Sequence, residues 1–234
     1  IELSKEAINF SAAHFTIFSR TEREDLHGHN FQVIGEALAP VDLKKIQRGN
    51  KALEVDRNLV EPLAKAYLER MSLDDKIEQL HGSKSSGDMG TEKGLYWSGE
   101  NLEQGIPPLK MVDGPRGLRS GLATAFPVPM ARGASFDPAL EKRVGMAIGT
   151  EVAAVGGNVL LAPTINLLRH PGWGRAQETY SEDPFHMGLM GLAFVCGAQN
   201  FVLASPKHFA LNNLEITRFE VSSEIEERAL HEVY

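Results

Sequence analysis

A single cysteine, Cys196, in 234 residues excludes an intrachain disulfide framework. A basic cluster is missing too. The 24 Lys and Arg are scattered and outnumbered by 31 Asp and Glu, for a net charge of -7 and a pI of about 5.6. That balance argues against a nucleic-acid or anionic-membrane surface. The most apolar run, Met187 to Ala198, is shorter than the ~20 residues needed to span a bilayer. A basic leader followed by an apolar core is absent from the N-terminus, so no signal peptide is expected and a cytoplasmic location is the default. The first residue is Ile1 rather than Met, as in a piece of a longer chain. There is no internal repeat or low-complexity tract. What is present, 42% hydrophobic and 24% charged residues, is ordinary for a globular protein of one large domain or one small plus one medium domain.

The character of the chain changes near Pro40. Before it, "AINFSAAHFTIFS" and "LHGHNFQVIGEAL" read as two extended stretches joined by the polar "SRTERED", a hairpin with a long turn. Residues 41–60 are charged and without a clear period, and read as a linker or junction. Leu59, Leu63, Tyr67 and Met71 recur every fourth residue and predict a helix over 59–71. Ser72 and Asp75 form a capping-box pattern for a second helix, stopped by Gly82. Residues 82–105 read as a long loop.

A regular alternation follows. "LKMVD", "NVLLAP" and "FVLASP" predict short strands. Between them lie two helices, each opened by Asp-Pro: Asp137 with Pro138, and Asp183 with Pro184. Ser223 and Glu226 suggest a capping box for a last helix. The alternation implies parallel strands with helical crossovers. Each strand is followed by a polar, Gly/Pro-rich segment: "VDGPRGLR", "TINLLRHPGWGRAQETYSEDP" and "PKHFALNN". Loops at the C-terminal ends of parallel strands build one shared site in α/β folds.

These segments, together with "LERMSLDDKIEQLHG" and "SSEIEERALHEVY" and taken in order, resemble the N-terminal barrel domain of family 3 glycoside hydrolases, the β-glucosidase and β-xylosidase group. The resemblance covers residues 61–234 and implies an α/β fold, an incomplete (β/α)8 TIM-like barrel. It implies sugar-binding roles for Asp113, Arg119, Arg175, Lys207 and His208, with a small-molecule carbohydrate as substrate and no cofactor. A carboxylate accepts from two vicinal hydroxyls while Arg and Lys donate to the same ring, so the residue types suit a pyranose. Locally, Asp113 before Gly-Pro also suits a turn, and Arg175 with Glu178 a structural ion pair. Retaining hydrolysis needs two carboxyls, a nucleophile and an acid/base. The resemblance implies that both come from later motifs than those present, so this chain alone is expected to be inactive.

Residues 1–40 resemble another family, the 6-pyruvoyl- and 6-carboxy-tetrahydropterin synthases, through "FSAAHF" and "LHGHNFQV". That resemblance implies a T-fold fragment with zinc held by His14, His27 and His29. His27 and His29 share one face of a strand, and an adjacent strand can supply the third imidazole. The catalytic Cys of that family has no counterpart before the His-Gly-His motif, where "TERED" stands. Three functional expectations follow. The first is a fragment of a retaining β-glycosidase, the second a zinc-dependent pterin-synthase-like protein, and the third an inactive fragment or chimera.

Overall fold

Two Asp-Pro pairs start the two long helices, each by the same local chemistry. Asp137 accepts a hydrogen bond from the Leu140 amide at 2.9 Å, and Asp183 one from the Phe185 amide at 2.8 Å. Each proline occupies the first turn, where its missing N–H costs nothing. In this computed structural model the described residues are 57–82, 95–119 and 121–234. The hairpin expected at the N-terminus, with His14, His27 and His29, lies outside them, as does most of the 41–60 linker.

Among the described residues the order is α1 (Arg57–Arg70), α2 (Leu73–Glu78), β1 (Tyr96–Ser98), β2 (Leu109–Asp113), α3 (Pro129–Gly133), α4 (Pro138–Ala154), β3 (Val159–Leu161), α5 (Pro184–Ala198), β4 (Leu203–Ala204) and α6 (Glu227–Val233). The strands form one sheet in the order β1-β2-β3-β4. β2, β3 and β4 are parallel, with Val112 opposite Leu160 and Leu160 opposite Ala204. β4 is only two residues long, yet its register carries the loop that follows to the same side as Asp113.

The core lies between this sheet and the α4–α5 pair. Val144, Ile148 and Val152 of α4 and Phe194, Val195 and Ala198 of α5 close over Val112, Leu160 and Ala204. Full burial of each large side chain contributes roughly 1.5–3 kcal/mol. The two helices approach with backbone against backbone. A Cβ at Gly145 would overlap the Phe194 carbonyl, and one at Gly197 would overlap the Lys142 carbonyl. Only glycine permits that seam.

Four expectations need correction. Residues 82–105 are not one loop: β1 pairs antiparallel with β2, and Leu102–Gln104 form a 3-10 turn capped by Asn101. A three-residue edge strand carries no legible alternation of its own. α2 has its capping box but ends at Glu78, well before Gly82. It buries no side chain, so nothing tertiary extends it. The Ser223–Glu226 box does not form. α6 starts at Glu227 without a side-chain cap, and the Ser223 hydroxyl donates to the Leu211 carbonyl at 3.5 Å. The segment assigned to a linker already turns helical at Arg57. Among the described residues, no helix is long and apolar enough to cross a membrane.

Candidate functional site

The three parallel strands end on one side of the sheet, and their loops are laced together there. Asp113 is the last residue of β2. After β4 the chain returns to the β3 loop: the Lys207 amide donates to the Pro163 carbonyl at 2.9 Å, and the Ile165 amide to the Lys207 carbonyl at 2.7 Å. This fixes the direction of the Lys207 side chain. Its Nζ reaches over β3 and donates to Asp113 Oδ1 at 2.7 Å, with 16% and 26% of the two side chains exposed. Arg119 stands further out, 71% exposed, with Nη1 3.9 Å from Asp113 Oδ2.

The β3–α5 loop supplies the next group. Arg175 precedes the 3-10 turn Ala176–Glu178. That turn brings Glu178 back onto its guanidinium: Nε donates to Oε1 at 3.0 Å and Nη2 to Oε2 at 2.5 Å. Burial opposes the charge of Arg175, but the carboxylates of Glu178, Glu215 and Asp113 together outweigh it and hold the guanidinium above its ordinary value. The third direction of the fork, Nη1, points at His208 Nε2, 2.8 Å away.

His208 is held from the other side by Asn166. The Asn166 Oδ1 accepts from the His208 backbone amide at 2.8 Å and from Nδ1 at 2.9 Å, while its Nδ2 donates to the His208 carbonyl at 3.1 Å. A guanidinium has no lone pair to offer, so Nε2 must be the acceptor and Nδ1 carry the proton. Burial, then the positive charges of Arg175 and Lys207, push the imidazole down to about 4. The ring is therefore neutral at ordinary pH.

Asp113, Arg119, Arg175, Lys207 and His208, the five residues singled out in the sequence, line one cleft of about 780 Å³. The fork pair makes Glu178 both a structural partner and part of the wall. Other polar groups were missed, Arg116 and Gln177 of the lining among them. Arg218 lines the cleft and pairs with Glu215 at 3.1 Å, and Asn166, 5% exposed, orients His208. An asparagine inside the apolar "TINLL" is the available signal, because a buried amide must find partners. The cleft offers guanidinium and ammonium donors beside carboxylate acceptors, a set suited to a neutral polyol. Among the described residues, no group of three or more His, Cys, Asp or Glu is placed to hold a metal ion.

Comparison with known proteins gives a consistent picture. The family described as glycosyl hydrolase family 3 N terminal domain matches residues 87–213. A β-glucosidase of Rhizobium radiobacter is 37% identical over 176 residues, 71% of this chain and 20% of that protein. β-Glucosidase B of Emericella nidulans is 37% identical over 177 residues, 72% and 20% of the two chains. Among solved structures, β-glucosidase 3B of Thermotoga neapolitana in complex with glucose matches with a TM-score of 0.67 at 34% identity, over 73% of this chain and 26% of that one. The chain spans about a fifth of the length of these curated relatives.

Proposed function

The chain belongs to glycosyl hydrolase family 3, and from that premise we propose that its cleft receives the terminal sugar of a β-glucoside within a longer β-glucosidase. The observation that carries the reading is the Lys207–Asp113 contact across the ends of the parallel strands. Asp113 lines the cleft, and its Oδ2 has Arg119 Nη1 3.9 Å away. In this reading Asp113 accepts from two vicinal hydroxyls of the sugar. Lys207, Arg119 and Arg175 donate to the same ring. The neutral His208 contributes a lone pair rather than a charge. The complex of the Thermotoga neapolitana relative with glucose supports a monosaccharide in such a cleft. The parallel sheet with its helical crossovers is, in the same proposal, part of a (β/α)8 barrel over residues 61–234.

The cleft also says what it lacks for turnover. Among the described residues, its two lining carboxylates, Asp113 and Glu178, are each bonded to a cation. Retention needs a nucleophile and a proton donor about 5–5.5 Å apart on either side of the glycosidic bond. We assign those two groups to parts of the longer protein outside these residues, and this chain alone to binding without turnover. Titration of the full chain with glucose, followed by NMR or calorimetry, tests the reading. Asp113→Asn should weaken binding at least ~10-fold, as expected for loss of a charged hydrogen bond worth about 1.5–3 kcal/mol. Equal affinity in the variant would refute the sugar site. Hydrolysis of an aryl β-glucoside by the chain, abolished in Asp113→Ala, would refute the binding-only role. For residues 1–40 the His-x-His spacing of "LHGHNFQV" supports a separate proposal, a pterin-synthase-like hairpin with zinc on His14, His27 and His29.

A further inference from the structure

Behind the cleft wall lies a buried charged cluster whose residues are not among those lining the cleft. Arg132 and Glu141 side chains are 3% and 0% exposed. They form a forked pair, Nε to Oε2 at 2.7 Å and Nη2 to Oε1 at 3.0 Å, and the Tyr180 hydroxyl donates to Glu141 Oε1 at 2.6 Å. A buried ion pair commonly gives no more stability than apolar side chains filling the same volume. Fold stability alone is therefore a poor reason for this one.

Its remaining bonds suggest a better reason. Arg132 also donates to the main-chain carbonyls of Pro115 at 3.0 Å and of Pro127 at 2.5 Å. Those carbonyls stand near the two ends of the 114–128 segment, which carries Arg119 and forms one wall of the cleft. The segment folds back on itself: the Phe126 amide donates to the Arg116 carbonyl at 2.9 Å and the Arg119 amide to the Asp113 carbonyl at 3.0 Å. Gly117, at φ +140, lies so close to the Thr124 carbonyl that a Cβ would overlap it. The doubled loop contributes Leu118 to the main core cluster, with Phe126 partly buried against it. Burial and the Glu141 charge push the Tyr180 hydroxyl well above its ordinary range, so it stays a donor.

We propose that Arg132, with Glu141 and Tyr180 holding its guanidinium in place, is a positioning residue that sets the 114–128 wall by gripping both of its ends. The consequence for sugar affinity rests on the reading of the cleft given above; the consequence for the loop does not. The test is amide hydrogen exchange on the full chain, with glucose titration alongside. The triple variant Arg132→Leu, Glu141→Leu, Tyr180→Phe removes the polar partners together and leaves no lone buried charge. The Arg119 and Phe126 amides should then exchange at least about tenfold faster, while the helical amides of α4 and α5 keep their wild-type rates. Arg132→Lys retains the charge beside Glu141 but has one nitrogen, which cannot reach both carbonyls while paired. It should speed the same two amides and spare the helices. Wild-type loop rates in Arg132→Lys would overturn the proposal, even if the triple variant fails to fold. Glucose binding that is undetectable in the wild type would sink the sugar reading and leave the loop result standing.

Discussion

His208 should give the chain a pH dependence that a cleft-lining histidine in water would not. Its imidazole is pushed down to about 4 from an ordinary 6.5, first by burial, then by Arg175 and Lys207; Glu178 and Asp113 pull the other way more weakly. The unfolded chain therefore takes up the proton first. Stability from this group is complete above about pH 6.5, falls as pH drops, and is gone below about pH 4. The fall from 6.5 to about 4, at ~1.4 kcal/mol per pH unit, sets a ceiling of about 3.5 kcal/mol. The ring borders an open cleft, and solvent screening reduces the expectation to about 1–2 kcal/mol. Urea unfolding of wild type and His208→Gln at several pH values isolates the term, because the other titrating groups cancel in the difference. The difference should change by that amount between pH 7 and pH 4. NMR titration of the His208 ring protons gives the same quantity directly, and Arg175→Met should move the midpoint upward. A wild-type midpoint at or above the ordinary value would refute the argument, since Nε2 would then not be facing a guanidinium.

The core and the N-terminal segment yield two further expectations. Phe194, fully buried between α5 and the sheet, should cost about 3–5 kcal/mol when cut to Ala, seen as a lower urea midpoint with an unchanged slope. If the histidines of residues 1–40 hold zinc, the purified full chain should carry one zinc per molecule by elemental analysis, and His27→Ala should lose it; a zinc-free wild type would dismiss that site.

What could be read from the sequence was what is decided locally. The starts of α4 and α5 were legible because Asp137 and Asp183 bond to amides two or three residues away. The capping box at Ser72 and Asp75 was legible for the same reason. The cleft was legible one level up: strands alternating with helices send every following loop to the same side, so polar loops there had to meet. Local signals failed where partners are distant. β1 exists only because β2 offers it an edge. The cap expected from Ser223 gave way to a carbonyl 12 residues back. Asn166 finds its partner 42 residues on, and Glu141 meets Tyr180 across 39. No spacing rule connects such pairs.

The glycine seam between α4 and α5 has a mechanical consequence. Side chains that interdigitate can hop between rotamers and let two helices slide slightly; carbonyls and Cα atoms in direct contact have no rotamers to hop between. The pair behaves as one slab. The chain reaches α4 from the loop that carries Arg119 by way of α3, and reaches α5 from the loop that carries Arg175. One methyl group at Gly145 or Gly197 would therefore displace a whole helix rather than a single side chain.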